Sequence, residues 1–192
     1  MNFENKLLSG VLIKRYKRFF VDIKIKNKII TAHCPNTGSM QGLLKKGNKV
    51  WLTKSNNPQR KLKYTLQIIE VDGSKVGINT HVTNKIFFNA LQKNKIKEFD
   101  RNIEIKKEVK FGSNVRFDFL VINKTKKIFI EVKNVTLARK PKIAEFPDAV
   151  TSRGSKHIVE LLRANKQNYE IYLAFIIQRD DCNKFSIASD ID

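Results

Sequence analysis

The chain has 192 residues, 41% of them hydrophobic, and its 38 lysines and arginines against 18 acids give a net charge of +20. This length supports one or two domains, and this apolar content excludes an intrinsically disordered chain. The chain contains no run of the roughly 18 apolar residues that a membrane helix needs, and its N-terminus lacks the features of a secretory signal. Cys34 and Cys182 belong to no C-x-x-C pair, which argues against a disulfide scaffold and a zinc site. We therefore expect a cytoplasmic protein with two free thiols and no membrane partner.

The positive charge is the strongest signal in the composition. Residues 1–80 hold 16 of the 38 basic residues but only 4 of the 18 acids, so the excess is largest there. A surface of this kind favours a polyanion, because each neutralised phosphate releases condensed counterions. We predict DNA as the partner, ahead of a compositional bias or an acidic membrane surface. Composition does not distinguish single-stranded from double-stranded DNA, and it leaves the oligomeric state open.

The first part of the chain reads as short strands separated by turns. Clusters of Gly, Pro and Asn, such as CPNTG and SNNPQ, interrupt the apolar runs. The predicted strands are residues 9–15, 19–26, 28–34, 49–55, 61–71 and 75–80. So many short strands in so short a length favour a small closed barrel over a parallel sheet. We predict an OB-like, nucleic-acid-binding barrel for residues 1–80, with CPNTGS forming a tight turn.

Two segments of this barrel mix bases with aromatic residues, RYKRFF (15–20) and QRKLKY (59–64). Proteins that bind single strands use this combination to hold phosphates and to stack bases. The alternative is that the lysines form an ordinary solvated face and that Phe19, Phe20 and Tyr64 belong to the core. For the three aromatic residues we favour this alternative. The predicted DNA-binding residues of the barrel are Arg15, Lys17, Arg18, Arg60, Lys61 and Lys63.

After residue 80 helices and strands alternate. The pattern predicts, in order, a helix over 83–94, strands over 103–111, 115–122 and 127–135, a helix over 155–166, and a fully buried strand over 169–178. In the second helix Ile158, Leu161 and Leu162 share one face. Three meandering strands followed by a crossover helix and a strand give a mixed sheet flanked by helices. We predict a second domain of this kind over residues 81–192.

The strands of this second domain contain charged residues in otherwise apolar runs. Glu131 and Lys133 point to the same face of their strand, because side chains alternate. Asp118 lies on the preceding strand of the same predicted hairpin, and one register brings it within reach of both. Two carboxylates at that distance favour a divalent cation, and a neighbouring lysine can orient water or stabilise a phosphorane. This pattern is typical of a site that cleaves phosphodiesters.

The E-x-K pattern by itself carries little weight, since this lysine-rich chain contains it four times. Only Glu131 and Lys133 lie in a strongly apolar strand that follows a hairpin with an embedded aspartate. The alternative is a structural ion pair inside the sheet. Short motifs of this kind have a high false-positive rate, so both interpretations stay open here.

The start of the second predicted helix, TSRGSKH, offers a further phosphate site. Arg153, Lys156 and His157 lie at or before the helix start, where backbone N–H groups and the helix dipole attract an anion. The alternative is an ordinary polar helix start. We include Arg153 and Lys156 among the predicted DNA-binding residues.

Several segments resemble the sugar fermentation stimulation protein A family along essentially the whole chain. The segments that carry the resemblance are GVLIKRYKRFFVDI, TAHCPNTGSMQGLL, RKLKYT, GINT, RFDFLV, EVKNVTL, FPDAVTSRGSKHIVEL and FIIQR. The resemblance implies an N-terminal OB-like domain, a C-terminal domain of the PD-(D/E)xK nuclease fold, DNA binding, and a role in regulating sugar-utilisation genes, maltose genes in particular. Asp118, Glu131 and Lys133 fall on the family's motif residues.

The resemblance also suggests a set of metal ligands. Glu108 matches a glutamate that the family shows upstream of the motif, so the implied ligands of Mg²⁺ or Mn²⁺ are Asp118, Glu131 and Glu108. The helix over 83–94 has no acid where related nucleases place one, and Glu108 would have to replace it from a strand. The lysines on either side of Glu108 fit a solvated face equally well.

The chain departs from the family at two points, and two functions follow from the sequence. Val115 stands where the family commonly has serine, and family members usually continue beyond IASDID, so we expect a C-terminal domain that is short at its end.

The first function is a Mg²⁺-dependent DNA endonuclease or exonuclease with Asp118, Glu131 and Lys133 as catalytic residues. The alternative is a non-catalytic DNA-binding regulator of sugar genes, whose acidic cluster is structural.

Overall fold

The computed structural model describes residues 3, 6–99, 101–113 and 115–192. These residues form two compact units. The first comprises the described residues of Met1–His81 together with Val135–Val150 and Ile177–Asp192, and the second comprises those of Val82–Asn134 and Thr151–Ile176. The predicted domain boundary after residue 80 stays a prediction.

The first unit is built on a closed five-stranded barrel with one additional strand. Its strands are β1 (Leu8–Tyr16), β2 (Phe20–Ile25), β3 (Lys28–His33), β4 (Lys49–Lys54), β5 (Tyr64–Val71) and β6 (Ser74–Gly77). They pair in the order β3-β2-β1-β4-β5-β6, and a parallel pairing of His33 with Thr65 joins β3 to β5. All six predicted strands and the OB-like barrel are confirmed.

Alternation along the strands fills the barrel. Leu12, Val21, Ile23, Val50 and Leu52 are fully buried, whereas their neighbours along each strand are more exposed. Because a strand turns alternate side chains to opposite faces, these apolar residues point inward, whereas Val11 and Ile29 lie on the outer face and are 43% and 67% exposed. The breakers become the turns, and Lys17 and Arg18 both have positive φ angles (47° and 60°) in the tight turn between β1 and β2.

Gly10 marks the closest approach of β1 to β2. A Cβ atom at this position would lie 2.6 Å from Ile23 Cγ2 and 2.9 Å from the carbonyl oxygen of Lys24. We expect Gly10→Ala to lower the free energy of unfolding by about 1–3 kcal/mol, because the barrel cannot expand without moving backbone. Urea unfolding followed by circular dichroism measures the change. Ser9→Ala, at the exposed neighbouring position, is the control, and equal midpoints for the two variants would contradict the prediction.

Three short strands of the first unit were not predicted from the sequence. They are β10 (Leu137–Lys140), β11 (Ile143–Phe146) and β13 (Lys184–Ile187), which pair in the order β10-β11-β13 with β11 and β13 parallel. Each has four residues, and all four residues of β13 are exposed. A strand this short and this exposed leaves no alternating apolar pattern to detect.

The second unit contains the two helices and a four-stranded sheet. Its elements are α1 (Thr80–Gln92), β7 (Glu104–Phe111), β8 (Val115–Asn123), β9 (Lys126–Val135), α2 (Ser152–Asn165) and β12 (Glu170–Ile177), with the strand order β12-β9-β8-β7. The predicted order of elements is confirmed. The prediction that the last strand is fully buried is wrong, since β12 is an edge strand, and Tyr172 and Ile177 are exposed. In the described residues no helix is long and apolar enough to cross a membrane.

Helix α2 turns a different face to the protein from the predicted one. His157, Leu161 and Ala164 are its buried residues, whereas Ile158 and Leu162 are 43% and 54% exposed. The buried residues follow one another at intervals of four and three, which is the spacing of residues on one helix face. This face is rotated by about one residue from the predicted face of Ile158, Leu161 and Leu162. A histidine therefore occupies the first buried position of the stripe.

Candidate functional site

Asp118 lies in the middle of β8 and both of its carboxylate oxygens are engaged. The backbone N–H of Val132, on the neighbouring β9, donates to Oδ2 over 2.7 Å, and Asn84 Nδ2, on α1, donates to Oδ1 over 2.6 Å. The pairing of β8 with β9 runs as far as Phe119 and Ile130, so the next position places Asp118 across from Glu131. The predicted proximity of these carboxylates follows from this register.

Glu131 is buried in β9, at 5% exposure, and its two oxygens differ. Oε1 accepts from Lys133 Nζ over 2.8 Å and lies 2.5 Å from His157 Nδ1. Oε2 is buried and has no hydrogen-bond partner among the described residues. A buried oxygen without a partner costs about 1–3 kcal/mol, and more when the group is charged. This orphaned oxygen is the feature of the site that most needs an explanation.

The surroundings push the pKa values of the two carboxyl groups in opposite directions. Burial raises the pKa of Asp118, the nearby charge of Glu131 raises it further, and the hydrogen bonds from Val132 and Asn84 only partly oppose them. Burial would also raise the pKa of Glu131, but hydrogen bonds and charge from His157 and Lys133 outweigh burial and lower it. Glu131 is therefore the anionic member of the pair, and Asp118 is the member that resists ionisation.

This difference predicts a pH-dependent effect of Asp118→Asn in protein kept free of divalent cations. Because the pKa of Asp118 is higher in the folded chain than its ordinary value of 3.8, ionisation of Asp118 lowers stability as the pH rises through the folded pKa. An asparagine stays neutral, and rotation of the Asn84 amide lets it keep two hydrogen bonds. We expect the variant to gain more in thermal midpoint over wild type at pH 8 than at pH 4. Calorimetry in the presence of EDTA measures the thermal midpoints of the variant and of wild type at each pH. A difference in midpoint that is the same at both pH values would contradict this expectation.

Glu108 lies on β7, on the other side of Asp118 from Glu131. It falls between the pairs Lys107–Phe119 and Val109–Phe117, which places it across from Asp118. Its side chain is exposed, and its charge contributes to the raised pKa of Asp118. Its φ angle of 52° is unusual for a non-glycine residue within a strand.

The donor set fits a divalent cation that takes two carboxylates from the protein. No group of three His, Cys, Asp or Glu side chains among the described residues is arranged to hold a metal ion. Mg²⁺ is usually bound through one or two carboxylates, with waters and substrate phosphate completing its shell. Asp118 and the orphaned Oε2 of Glu131 would supply two such carboxylates, and the set of ligands Asp118, Glu131 and Glu108 stays a prediction.

Sequence reasoning missed the contact between His157 and Glu131. His157 was predicted only as part of a phosphate site at the helix start, whereas the structure buries it against Glu131, 26 residues away in the chain. Arg153 Nε lies 3.5 Å from His157 Nε2, and Lys156 is exposed on the same helix. His157 lies four residues before Leu161 and therefore on the same helix face as Leu161 and Ala164. This spacing is the sequence signal that could have identified His157 as a buried residue.

Five of the six predicted DNA-binding residues of the barrel lie on two connections of the first unit, and Arg15 lies on β1. The turn of residues 17–19 joins β1 to β2, and the loop of residues 55–63 joins β4 to β5. Lys17, Arg18, Lys61 and Lys63 are exposed, and Arg60 is half-buried. Arg60 is close enough for its charge to lower the pKa of His33 on β3, after the larger effect of burial.

Aromatic rings lie between these two connections. Tyr16 and Phe20 stack at 5.5 Å with an angle of 14°, and Phe20 pairs with His33 across β2 and β3. Phe19 is 47% exposed, so its assignment to the core is wrong, while Tyr64 does pack against the barrel core. Phe20 is half-buried on the outer surface of the barrel and is not a core residue either.

Arg15 differs from the other predicted DNA-binding residues because its guanidinium holds a bend of the chain. It donates to the carbonyl oxygens of Asn36, Gly38 and Ser39, and Asn36 Oδ1 accepts from the Gly38 N–H over 2.8 Å. Ser39 Oγ donates to the Asp148 carbonyl oxygen over 2.6 Å. The segment bends at Gly38 and is held by hydrogen bonds to Arg15 and Asp148, and a tight turn over CPNTGS stays a prediction.

Comparison with known proteins identifies the family of this chain. Residues 81–192 match the family model described as the sugar fermentation stimulation protein RE domain, and residues 13–78 match the SfsA N-terminal OB domain. The sugar fermentation stimulation protein homolog of Pelagibacter ubique (strain HTCC1062) is 57% identical over the whole chain, which covers 83% of that relative. The chain belongs to the sugar fermentation stimulation protein family. The homolog of Ruegeria sp. (strain TM1040), another family member, is 43% identical, with 84% of it covered.

A solved structure of the same family confirms the fold. The structure described as Pyrococcus furiosus SfsA in complex with Ca²⁺ matches the whole chain with a TM-score of 0.90 and 26% identity, and the chain covers 81% of it. The predicted family and the predicted combination of an OB-like barrel with mixed sheets and two helices are therefore both correct.

Proposed function

We propose that this member of the sugar fermentation stimulation protein family binds DNA and hydrolyses its phosphodiester bonds with a divalent cation. The observation that carries the proposal is the buried Oε2 of Glu131, which has no partner among the described residues and lies beside Asp118 in the same sheet. A cation is the partner that would satisfy this oxygen and also offset the repulsion from Glu131, which adds to the larger effect of burial in raising the pKa of Asp118.

Asp118 and Glu131 would hold the cation. When bound, it would lower the pKa of a coordinated water and neutralise charge on the phosphate. The Ca²⁺ complex of the Pyrococcus furiosus relative supports a preference for hard, oxygen-binding cations. For catalysis we propose Mg²⁺ or Mn²⁺, because Mg²⁺ prefers an octahedral shell and keeps waters that can react.

Lys133 supplies the remaining positive charge of the site. Its side chain is mostly buried, at 14% exposure, and its ammonium group donates to Glu131 Oε1. From this position it can orient an attacking water or stabilise negative charge that develops on the phosphorane. Glu108 is proposed as a further ligand or water-positioning group, because its left-handed backbone across from Asp118 is the kind of local strain that is concentrated at functional sites.

DNA binding is proposed for the outer surface of the barrel. The turn of residues 17–19 and the loop of residues 55–63 supply cations, and the stacked Tyr16 and Phe20 supply an aromatic surface beside them. OB-folds bind oligonucleotides on the second and third strands, between these same two connections. Stacking on aromatic rings is tolerant of sequence, so we expect single strands to be preferred and no specific sequence to be read.

The test uses purified protein with labelled single-stranded DNA, linear duplex and closed circular DNA, each with Mg²⁺, Mn²⁺, Ca²⁺ or EDTA. We expect cleavage with Mg²⁺ or Mn²⁺ and none with EDTA. Cutting of the closed circle would identify an endonuclease, because a circle offers no ends. Binding without cutting in any cation would overturn the catalytic part of the proposal.

The second candidate function is DNA binding without catalysis, in a regulator of sugar-utilisation genes. It is favoured by the hydrogen bonds that already satisfy both oxygens of Asp118 and Oε1 of Glu131 within the protein. Such a network can be purely structural. This candidate predicts that DNA affinity falls steeply with salt and does not depend on divalent cations as cofactors.

A further inference from the structure

We infer that His157 is a positioning residue that holds Glu131 by Oε1 and leaves Oε2 to the cation, and that Arg153 fixes the orientation of His157. The inference deepens the proposed function and rests on it. His157 is buried, at 7% exposure, and its Nδ1 lies 2.5 Å from Glu131 Oε1. A residue of this kind acts on the metal through its ligand and does not contact the reacting atoms.

The contact with Arg153 favours the tautomer of His157 that carries its proton on Nδ1. Its Nε lies 3.5 Å from His157 Nε2, and a guanidinium can only donate hydrogen bonds. His157 Nε2 therefore accepts, and in the neutral ring the proton resides on Nδ1, which donates to Glu131. Arg153 thus donates to His157, and His157 donates to the carboxylate of Glu131.

The two donors on Oε1 determine which oxygen of Glu131 is available. Lys133 Nζ, on β9, and His157 Nδ1, on α2, both lie within hydrogen-bond distance of Oε1. Their separate attachment points prevent the carboxylate from rotating without losing both bonds. Oε2, which has no partner among the described residues, is thereby held in one direction.

Helix α2 delivers His157 by ordinary helix packing. Thr151 caps the helix, its Oγ1 accepting from the Gly154 N–H over 3.3 Å, and His157 follows in the second turn. Leu161 and Ala164 continue the same buried stripe and belong to an apolar core with Phe117 of β8 and Phe129 of β9. The position of the imidazole is thus set by the core that anchors the helix.

The experiment titrates full-length protein with Mn²⁺ in a calorimeter and compares His157→Asn, His157→Gln and His157→Leu with wild type. The asparagine Nδ2 can replace the Nδ1 donor, whereas glutamine places its donor near Nε2 and leucine has none. We expect the glutamine and leucine variants to bind Mn²⁺ about 10- to 100-fold more weakly, and the asparagine variant to stay close to wild type. His81→Leu, an exposed histidine far from this network in the chain, controls for loss of a metal-binding side chain.

Thermal unfolding without metal checks that each variant is folded before its affinity is compared. Equal Mn²⁺ affinity in wild type and His157→Leu would overturn the inference and leave the proposed function intact. Equal loss in folded asparagine and glutamine variants would also overturn it, because the position of the donor would not matter. Absence of Mn²⁺ binding in wild type would instead refute the proposed function, and the inference with it.

Discussion

Asp118→Ala should abolish metal-dependent DNA cleavage and leave DNA affinity nearly unchanged. The reason is that Asp118 lies in the second unit, in the sheet beside Glu131, whereas the cations proposed to hold DNA belong mainly to the barrel. Loss of a ligand removes several kcal/mol of transition-state stabilisation, which corresponds to a fall in cleavage rate of about 10²- to 10⁴-fold. Lys133→Ala should lower the rate in the same range without abolishing Mn²⁺ binding.

The chain provides a matched control for these variants. Glu104 and Lys106 form the same E-x-K pattern on β7 of the same sheet, but they pair at 3.2 Å with both side chains more than half exposed. Lys106→Ala removes a lysine from an equivalent motif and should leave cleavage unchanged. The rates are measured on labelled single strands at saturating Mg²⁺. Undiminished cleavage by Asp118→Ala would show that the activity comes from another site or from a contaminant.

The second large effect is expected from the loop of residues 55–63. Combining Arg60→Ala, Lys61→Ala and Lys63→Ala should lower the affinity for single-stranded DNA by about a hundredfold at 0.1 M salt. Each lost phosphate contact reduces the slope of log K against log salt concentration by about 0.7, so three contacts reduce it by roughly 2. A change of roughly 2 in slope between 1 M and 0.1 M salt gives that factor if the affinity at 1 M is unaltered.

The measurement is fluorescence anisotropy of a labelled oligonucleotide over a series of salt concentrations. The control combines Lys45→Ala, Lys46→Ala and Lys49→Ala, which removes the same charge from exposed positions at or before the start of β4. The loop of residues 55–63 follows the other end of that strand. Equal losses in the two triple variants would show that overall charge, and not this surface, binds the DNA.

Short-range patterns predicted the longer elements of both units, but not the three short strands β10, β11 and β13. Alternation of apolar residues and clusters of Gly, Pro and Asn define β1 to β9, because strand geometry and turn chemistry depend on neighbours in the chain. The same local logic placed Asp118 beside Glu131, since a short hairpin turn leaves few possible registers. The family could be recognised for the same reason, because its motifs are contiguous segments.

The sequence by itself therefore determined the barrel, the order of elements, the family and the pair of carboxylates. Only the tertiary structure decided which partners these residues have. The partner of Glu131 is His157, and α2 brings it there by a face whose rotation depends on how Leu161 packs. Arg15, which the sequence indicated only as a DNA-binding cation, donates to carbonyl oxygens more than 20 residues away in the chain. Periodicity records whether a side chain points inward, but the identity of its distant neighbour is set by the packing of the whole fold.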